Sequence, residues 1–223
     1  MSTDVAPSDA PPHARRGRSA LIALAVFLAA IELVLQAGDA GLLGVPRMRA
    51  LAYEYFGFWP GILSGWTANY PLQPWAMFLT YAFLHGGLMH LGVNLLTLWS
   101  LGREVMDRVG PWGFAAIYVL SMLGGAIGFA LLGHGFRPMV GASGALFGLA
   151  GAFLAWNYVD RFTHSLGLWP VARAVALLIA LNIILYYAMD RLLAWETHLG
   201  GFVAGWVVAM LVDPLGRQPE RAD

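Results

Sequence analysis

Residues 141–159 read GASGALFGLAGAFLAWNYV, an apolar run rich in glycine and alanine. A helix of this length and composition can cross the hydrocarbon core of a bilayer, and its small residues allow neighbouring helices to approach closely in lipid. Comparable runs recur along the chain, and they give six candidate spans: 20–37, 86–101, 112–132, 144–159, 169–189 and 195–212. We therefore predict an all-α polytopic membrane protein built as a six-helix bundle.

The composition supports this class. Of the 223 residues, 59% are hydrophobic and 12% are charged, whereas soluble domains carry roughly 25% charged residues. The mean hydropathy of +0.64 also excludes a soluble globular protein.

The residue inventory limits the chemistry. There is no Cys, which excludes disulfides, thiol nucleophiles and Cys-ligated metal sites. The net charge is zero and the 13 basic residues form no dense cluster, so nucleic acid is not an expected partner. We expect neither a cofactor nor a metal, and any chemistry must come from Ser, His, Asn or carboxylates.

The domain organisation follows from the spans. Residues 1–19 are rich in Pro, Ala, Ser and Asp and are predicted to be a disordered cytoplasmic tail. Residues 20–213 form one membrane domain, whose long first loop at about 38–84 has the Gly, Pro and aromatic content of an interfacial segment. Residues 214–223 are a second cytoplasmic tail.

Arginine residues predict the orientation, because cytoplasmic loops carry more of them. If the amino terminus is cytoplasmic, eight face the cytoplasm: Arg15, Arg16, Arg18, Arg103, Arg108, Arg161, Arg217 and Arg221. Four then face outward: Arg47, Arg49, Arg137 and Arg191. Both termini are therefore predicted to be cytoplasmic. No transit peptide is recognisable, so we expect the inner membrane of a bacterium.

Four polar residues lie where the second, fourth and sixth spans begin. His90 and Asn94 are four residues apart on one helical face, Ser143 begins the fourth span, and His198 lies near the start of the sixth. These spans enter from the same outer side, so the four side chains share a depth roughly 5 to 15 Å below the boundary. Polar residues in lipid are functional candidates.

This inventory fits nucleophilic acyl transfer. Ser143 would attack a peptide carbonyl, and His198 would accept its proton and return it to the leaving amine. Glu196 is turned about 200° from His198 on a helix, so no third member is evident and a Ser–His dyad is predicted. The Ser143 amide, His90 and Asn94 would donate hydrogen bonds to the oxyanion.

Glycines flank both proposed catalytic residues. Gly141 and Gly144 would leave the Ser143 nucleophile unobstructed, and Gly201 and Gly205 share the His198 face of the sixth span. This face would let the fourth and sixth spans approach until Ser143 and His198 form a hydrogen bond.

Three motifs, His85-x4-His90-x3-Asn94, Gly141-x-Ser143-Gly144 and His198-x2-Gly201-x3-Gly205, resemble those of the rhomboid intramembrane serine proteases. The resemblance implies a cofactor-free endopeptidase, embedded in the lipid bilayer, that cleaves transmembrane segments of other membrane proteins near the outer face.

The resemblance also implies supporting roles. Phe147 would stack beneath His198, and His85 would support the first loop. Many family members carry Trp-Arg where this chain has Ala76 and Met77, which leaves open how the loop is anchored.

The sequence leaves two alternative functions. A catalytically inactive relative would bind transmembrane segments without cleaving them, but both dyad residues are present. A small transporter would need polar residues through the full membrane depth, whereas the second, fourth and sixth spans become apolar in their lower halves. Asn157 and Asn182 are the main exceptions. The sequence does not indicate an oligomeric state.

Overall fold

The structure, a computed structural model, describes residues 12–133 and 137–213. Within these ranges the chain is helical, apart from turns and one isolated antiparallel bridge between Phe58 and Met139. The helices are α1 (Pro12–Asp39), α2 (Met48–Phe56), α3 (Pro60–Leu63), α4 (Gln73–Thr80), α5 (Leu88–Leu132), α6 (Ser143–Thr163), α7 (Trp169–Ala188) and α8 (Trp195–Val212), with a 3₁₀ turn at Tyr81–Phe83. The prediction of an all-helical fold is confirmed.

Helix α5 contains the second and third predicted spans. Its 45 residues would be about 67 Å long if straight, more than twice the roughly 30 Å hydrocarbon core of a bilayer. The helix is broken at Gly110, whose φ of 71° and ψ of −178° are not helical, and Pro111 follows. Glycine adopts positive φ readily and proline removes a helical N–H donor, so the chain can turn here.

By length and composition, four helical segments of the described chain can cross a membrane: Gly17–Asp39, Leu88–Leu132, Trp169–Ala188 and Trp195–Val212. Helix α6 is not among them, because its glycines and the polar residues near its end lower its mean hydropathy. The chain is thus an integral membrane protein, while the count of six crossings stays a prediction.

The amino-terminal segment differs from the predicted tail. Residues 12–19 were expected to be disordered, yet they form the first turns of α1. A methyl group at Gly17 would lie 2.6 Å from Met106 Cγ, so this part of α1 packs directly on α5. Contact with another helix stabilises turns that would be marginal alone. Residues 1–11 and 214–223, also predicted to be tails, lie outside the described residues.

Helices α5, α6 and α8 form the centre of the bundle and make the most extensive contacts with one another. The seam between α6 and α8 is built from glycines. A Cβ atom on Gly201 would lie 1.9 Å from the carbonyl oxygen of Gly144, and one on Gly205 would lie 2.0 Å from that of Gly148. Real Cβ atoms do not approach so closely, so the two backbones are in direct contact, as small residues allow in lipid.

Helix α7 packs quite differently. All twenty of its residues are described, and only Val171 is buried. Its contacts with α6 are few, and aliphatic side chains such as Ile184, which is 63% exposed, face outward. The sequence predicted this span well, but not its loose attachment.

The first loop is anchored by Arg49 of α2. Its guanidinium forms two hydrogen bonds with the Glu32 carboxylate of α1, at 2.9 and 3.0 Å, and donates to the His85 carbonyl at 2.8 Å and to Asp39 at 2.6 Å. Burial by itself would lower the pKa of the Arg49 guanidinium. Its hydrogen bonds to Glu32, Tyr53 and Asp39 together outweigh this effect, so the pKa lies above its usual value. This pairing anchors the first loop to α1.

Candidate active site

Ser143 and His198 meet across the α6–α8 seam. Ser143 is the first residue of α6 and His198 lies in the first turn of α8. The distance between Ser143 Oγ and His198 Nε2 is 2.9 Å, which is within hydrogen-bonding range. Gly144 follows Ser143 directly and Gly201 lies one turn after His198, so the backbone contact between these glycines holds the two side chains close together.

The segment before Ser143 is fixed at two points. Met139 exchanges two backbone hydrogen bonds of 3.0 Å with Phe58 of the first loop, and the Gly141 amide donates to the Tyr81 carbonyl at 3.0 Å. Gly141 has a φ of 128°, a conformation that L-residues rarely adopt. The sequence motif therefore requires glycine here for a backbone reason as well as for space.

His90 flanks the same small volume as Ser143. A methyl group on Gly141 would lie 2.9 Å from His90 Nε2 and 3.8 Å from Ser143 Oγ. The Gly86 amide lies 3.2 Å from His90 Nδ1 and donates to it. Since Nδ1 accepts, the ring proton of neutral His90 is on Nε2, and the ring presents an N–H donor towards the space beside Ser143.

Asn94 is buried one turn further along α5, at 5% exposure. Its Nδ2 atom has no hydrogen-bond partner among the described residues. A buried amide donor without a partner is costly and calls for an explanation. An oxygen atom of a bound substrate would satisfy it.

His85 is buried and lies edge-on to His90, with ring centroids 5.2 Å apart. Burial, together with the neighbouring His90, lowers the pKa of His85 to about 4, so the ring is neutral at physiological pH. The His85 carbonyl accepts hydrogen bonds from Arg49 and from the Tyr53 hydroxyl. His85 thus links the first loop to the start of α5.

Two further side chains touch His198. The Phe147 ring stacks on the imidazole with centroids 4.1 Å apart and an interplanar angle of 6°. At the edge of the ring, His198 Nδ1 forms a hydrogen bond with Asn182 Oδ1 of α7. Asn182 was noted in the sequence only as a polar exception in an apolar span. The sequence therefore shows that Asn182 is unusual in its span, but it does not show that this side chain contacts His198.

A largely apolar cavity of about 610 Å³ opens beside His198, between α7 and the amino-terminal ends of α6 and α8. Phe147, Ile179 and Ile183 contribute apolar surface, and Asn182 and His198 provide polar atoms. Its size and character suit an apolar side chain or chain segment. Among the described residues no cluster of His, Asp or Glu could hold a metal ion.

Comparison with known proteins identifies the family of the chain. The family model described as the rhomboid domain matches residues 71–214. RHOMBOID-like protein 5 of Arabidopsis thaliana is 34% identical over 58% of this chain and 41% of its own length. Rhomboid protease GluP of Bacillus subtilis is 32% identical over 60% of this chain and 25% of its own length.

A further relative is named Inactive RHOMBOID-like protein 8, also from Arabidopsis thaliana. It is 36% identical over 40% of this chain and 27% of its own length. The chain thus matches less than half the length of each of these relatives. The family model nevertheless covers more than half of the chain, and its range contains all the residues of the candidate site. The chain belongs to the rhomboid family.

Proposed function

We propose that this protein is an intramembrane serine endopeptidase, which hydrolyses peptide bonds in or near transmembrane segments of other membrane proteins. The observation that carries the proposal is the 2.9 Å contact between Ser143 Oγ and His198 Nε2. A hydroxyl and a histidine base at this separation, at the edge of an apolar cavity, are suited to nucleophilic acyl transfer.

In the first step Ser143 Oγ attacks the scissile carbonyl carbon while His198 Nε2 takes the hydroxyl proton. The resulting imidazolium gives that proton to the leaving amine as the C–N bond breaks, which leaves an acyl-enzyme on Ser143. Water then attacks the ester, with His198 acting again as base and afterwards as acid. The products are a carboxylate, an amine and the free Ser143 hydroxyl, so no cofactor is needed.

The oxyanion of the tetrahedral intermediate would be stabilised by three donors. The first backbone hydrogen bond of α6 is donated by the Leu146 amide to the Ala142 carbonyl. The Ser143 amide lies before it, in the first turn, where N–H groups have no partner within the helix. The Asn94 amide is the unpartnered donor described above, and His90 presents its Nε2–H. Preorganised donors of this kind are worth about 2.7–4 kcal/mol each in transition-state stabilisation.

The proposed topology places this site towards the outer face. Helix α5 would cross twice because of its break at Gly110, and α1, α6, α7 and α8 once each, which gives six crossings with both ends in the cytoplasm. We assign the protein to a bacterial inner membrane. A carboxy-terminal reporter enzyme tests the orientation: activity on the outer side would overturn it.

The test of the activity is co-expression with a single-span reporter substrate. We expect cleavage by the wild type and none by Ser143→Ala or His198→Ala. Cleavage that persists in Ser143→Ala would refute the assignment. An inactive relative that binds transmembrane segments is the second possibility, and a serine-directed covalent probe distinguishes it. Labelling of the wild type, lost in Ser143→Ala, supports an active enzyme even without a known substrate.

A further inference from the structure

We propose that Asn182 of α7 is a positioning residue for His198, which orients the imidazole of the Ser143–His198 dyad and selects its tautomer. The inference deepens the proposed function and rests on it. It starts from a contact between α7 and α8, two helices that otherwise make few contacts with each other. His198 Nδ1 of α8 is hydrogen-bonded to Asn182 Oδ1 of α7.

The contact defines the tautomer of His198. A carbonyl oxygen only accepts, so the hydrogen bond to Asn182 Oδ1 requires the imidazole proton on Nδ1. The other ring nitrogen, Nε2, then carries a lone pair that faces Ser143 Oγ at 2.9 Å. This is the protonation state that a general base needs. The opposite tautomer would present N–H to the Ser143 hydroxyl and could not accept its proton.

The orientation of the Asn182 amide is itself fixed. Its Nδ2 atom donates to the Leu178 carbonyl at 2.9 Å, one turn back along α7. With Nδ2 occupied there, Oδ1 is the atom that faces His198. The imidazole is also held from below by the parallel Phe147 ring. One contact fixes the plane of the ring and the other fixes which nitrogen bears the proton.

The surroundings favour a strong hydrogen bond. His198 is 7% exposed, and the adjoining cavity wall is formed largely by aliphatic and aromatic side chains of α7 and α8. A hydrogen bond in a medium of low dielectric constant is stronger than the same bond in water. As imidazolium forms during the reaction, this bond becomes charge-assisted and gains further strength.

A structural consequence follows from the loose packing of α7. Since only Val171 of this helix is buried, the position of Asn182 depends on how α7 is docked. Displacement of α7 would leave Ser143 and His198 in place on their glycine seam but remove the group that selects the tautomer. The base is thus correctly protonated only when α7 lies against the bundle.

The chain offers a matched control. Asn157 of α6 makes the same backbone contact as Asn182, because its Nδ2 donates to the Phe153 carbonyl one turn back at 2.9 Å. It lines a different cavity at the inner end of the bundle, beside Arg108 and Trp156. Replacing either Asn by Leu removes the same local hydrogen bond, but only one replacement touches His198.

The experiment compares Asn182→Leu, Asn182→Asp and Asn157→Leu in full-length protein, with a reporter substrate in proteoliposomes. We expect Asn182→Leu to lower kcat by about 10- to 100-fold, in line with the loss of an orienting partner, with KM and the melting temperature little changed. Asn182→Asp keeps an acceptor and should recover most of the lost rate. Asn157→Leu should match the wild type.

Equal kcat values for Asn182→Leu and wild type would overturn the proposal. So would equal losses in the Leu and Asp variants, because an acceptor at position 182 would then not matter.

A second measurement is independent of catalysis. In protein labelled with ¹⁵N-histidine, the His198 signals are assigned by their absence in His198→Gln, and their chemical shifts report which nitrogen is protonated. The proposal requires the Nδ1–H form in the wild type and in Asn157→Leu, and a shift towards Nε2–H in Asn182→Leu. An Nε2–H tautomer in the wild type would overturn it. If the wild type shows the Nδ1–H form but cleaves nothing, the proposed function fails and the role of Asn182 as orienting group stands.

Discussion

The α6–α8 seam and helix α7 both contribute to the candidate site, but they are held in opposite ways. Along the seam, glycines bring two backbones into contact, and a single added methyl group would lie 1.9 Å from a carbonyl oxygen. Helix α7 has one buried residue and aliphatic side chains on its outward face. The proposed nucleophile and base are therefore on rigid elements, and the group proposed to orient the base is on a weakly packed one.

This difference has a physical basis. Helices in lipid gain little from burying apolar surface, because lipid tails are as apolar as Leu, so association depends on close packing and polar contacts. The seam has the glycines that make close packing possible. Helix α7 has large aliphatic residues, which can contact lipid as well as protein. It is consequently the element whose position can change at the lowest cost.

The largest expected effect breaks the seam. Gly201→Ala places a methyl group against the Gly144 carbonyl and forces α6 and α8 apart. We expect the free energy of unfolding to fall by about 3 kcal/mol, as for severe overpacking, and cleavage to fall by about 100-fold because Ser143 and His198 separate. Reporter cleavage and thermal unfolding in detergent measure the two effects.

Gly92→Ala is the control for this variant. It also adds one methyl group to a helical glycine, but among the described residues nothing lies within 4 Å of the added Cβ atom. It should leave cleavage and stability unchanged. Wild-type activity in Gly201→Ala would show that the seam is not as rigid as its geometry indicates.

A somewhat smaller effect is expected at the first loop, which lies outside the central helices but, unlike α7, has a polar anchor. Arg49→Met leaves the Glu32 carboxylate, which is 0% exposed, buried without its cation. Breaking a buried ion pair from one side costs about 3–5 kcal/mol, and we expect about 2–3 kcal/mol here because the Arg49 side chain is 17% exposed. Urea unfolding in micelles measures this loss.

Two further variants check the interpretation of Arg49. Arg173→Met removes an exposed cation from α7 and should change stability little. Glu32→Gln combined with Arg49→Met should recover part of the stability lost in Arg49→Met, since no buried charge then remains unpaired. If the double variant is less stable than Arg49→Met, the buried carboxylate is not the cause of the loss.

A moderate effect is expected within the core helix α6. Leu149 is 0% exposed, and Leu149→Ala leaves a cavity that the neighbouring helices can close only in part. We expect a loss of about 2 kcal/mol, at the low end of the range for buried leucines. A shift in melting temperature measured in the same detergent tests this value, and an unchanged melting temperature would contradict the packing described for α6.

The smallest effect is expected on α7. Ile184→Ala removes a comparable aliphatic side chain from a position that is 63% exposed, where lipid can fill the space. The change in stability should be within about 0.5 kcal/mol. A loss equal to that of Leu149→Ala would mean that α7 is packed as tightly as the core, and the contrast between the two regions would not hold.

Much of the fold could be predicted from local sequence signals. The predicted span 195–212 coincides with α8, and 169–189 differs from α7 by one residue, because long apolar runs in lipid have few alternatives to helix. The predicted tail was wrong at residues 12–19, since the contact between Gly17 and Met106 joins residues far apart in the chain. The short helices of the first loop were also missed, and α2 is held by a tertiary contact, Arg49–Glu32, between residues 17 positions apart.

The sequence by itself determined that the chain is a helical membrane protein and which residues are candidates for chemistry, because both depend on residue type and spacing along single helices. Only the tertiary structure decided how these residues combine. The distance from Ser143 to His198 follows from glycine contacts across a seam, and the pairing of His198 with Asn182 joins helices whose relative position is not encoded in any local motif. Hydrogen bonds depend on ångström-scale geometry between elements, which spacing along one helix does not specify.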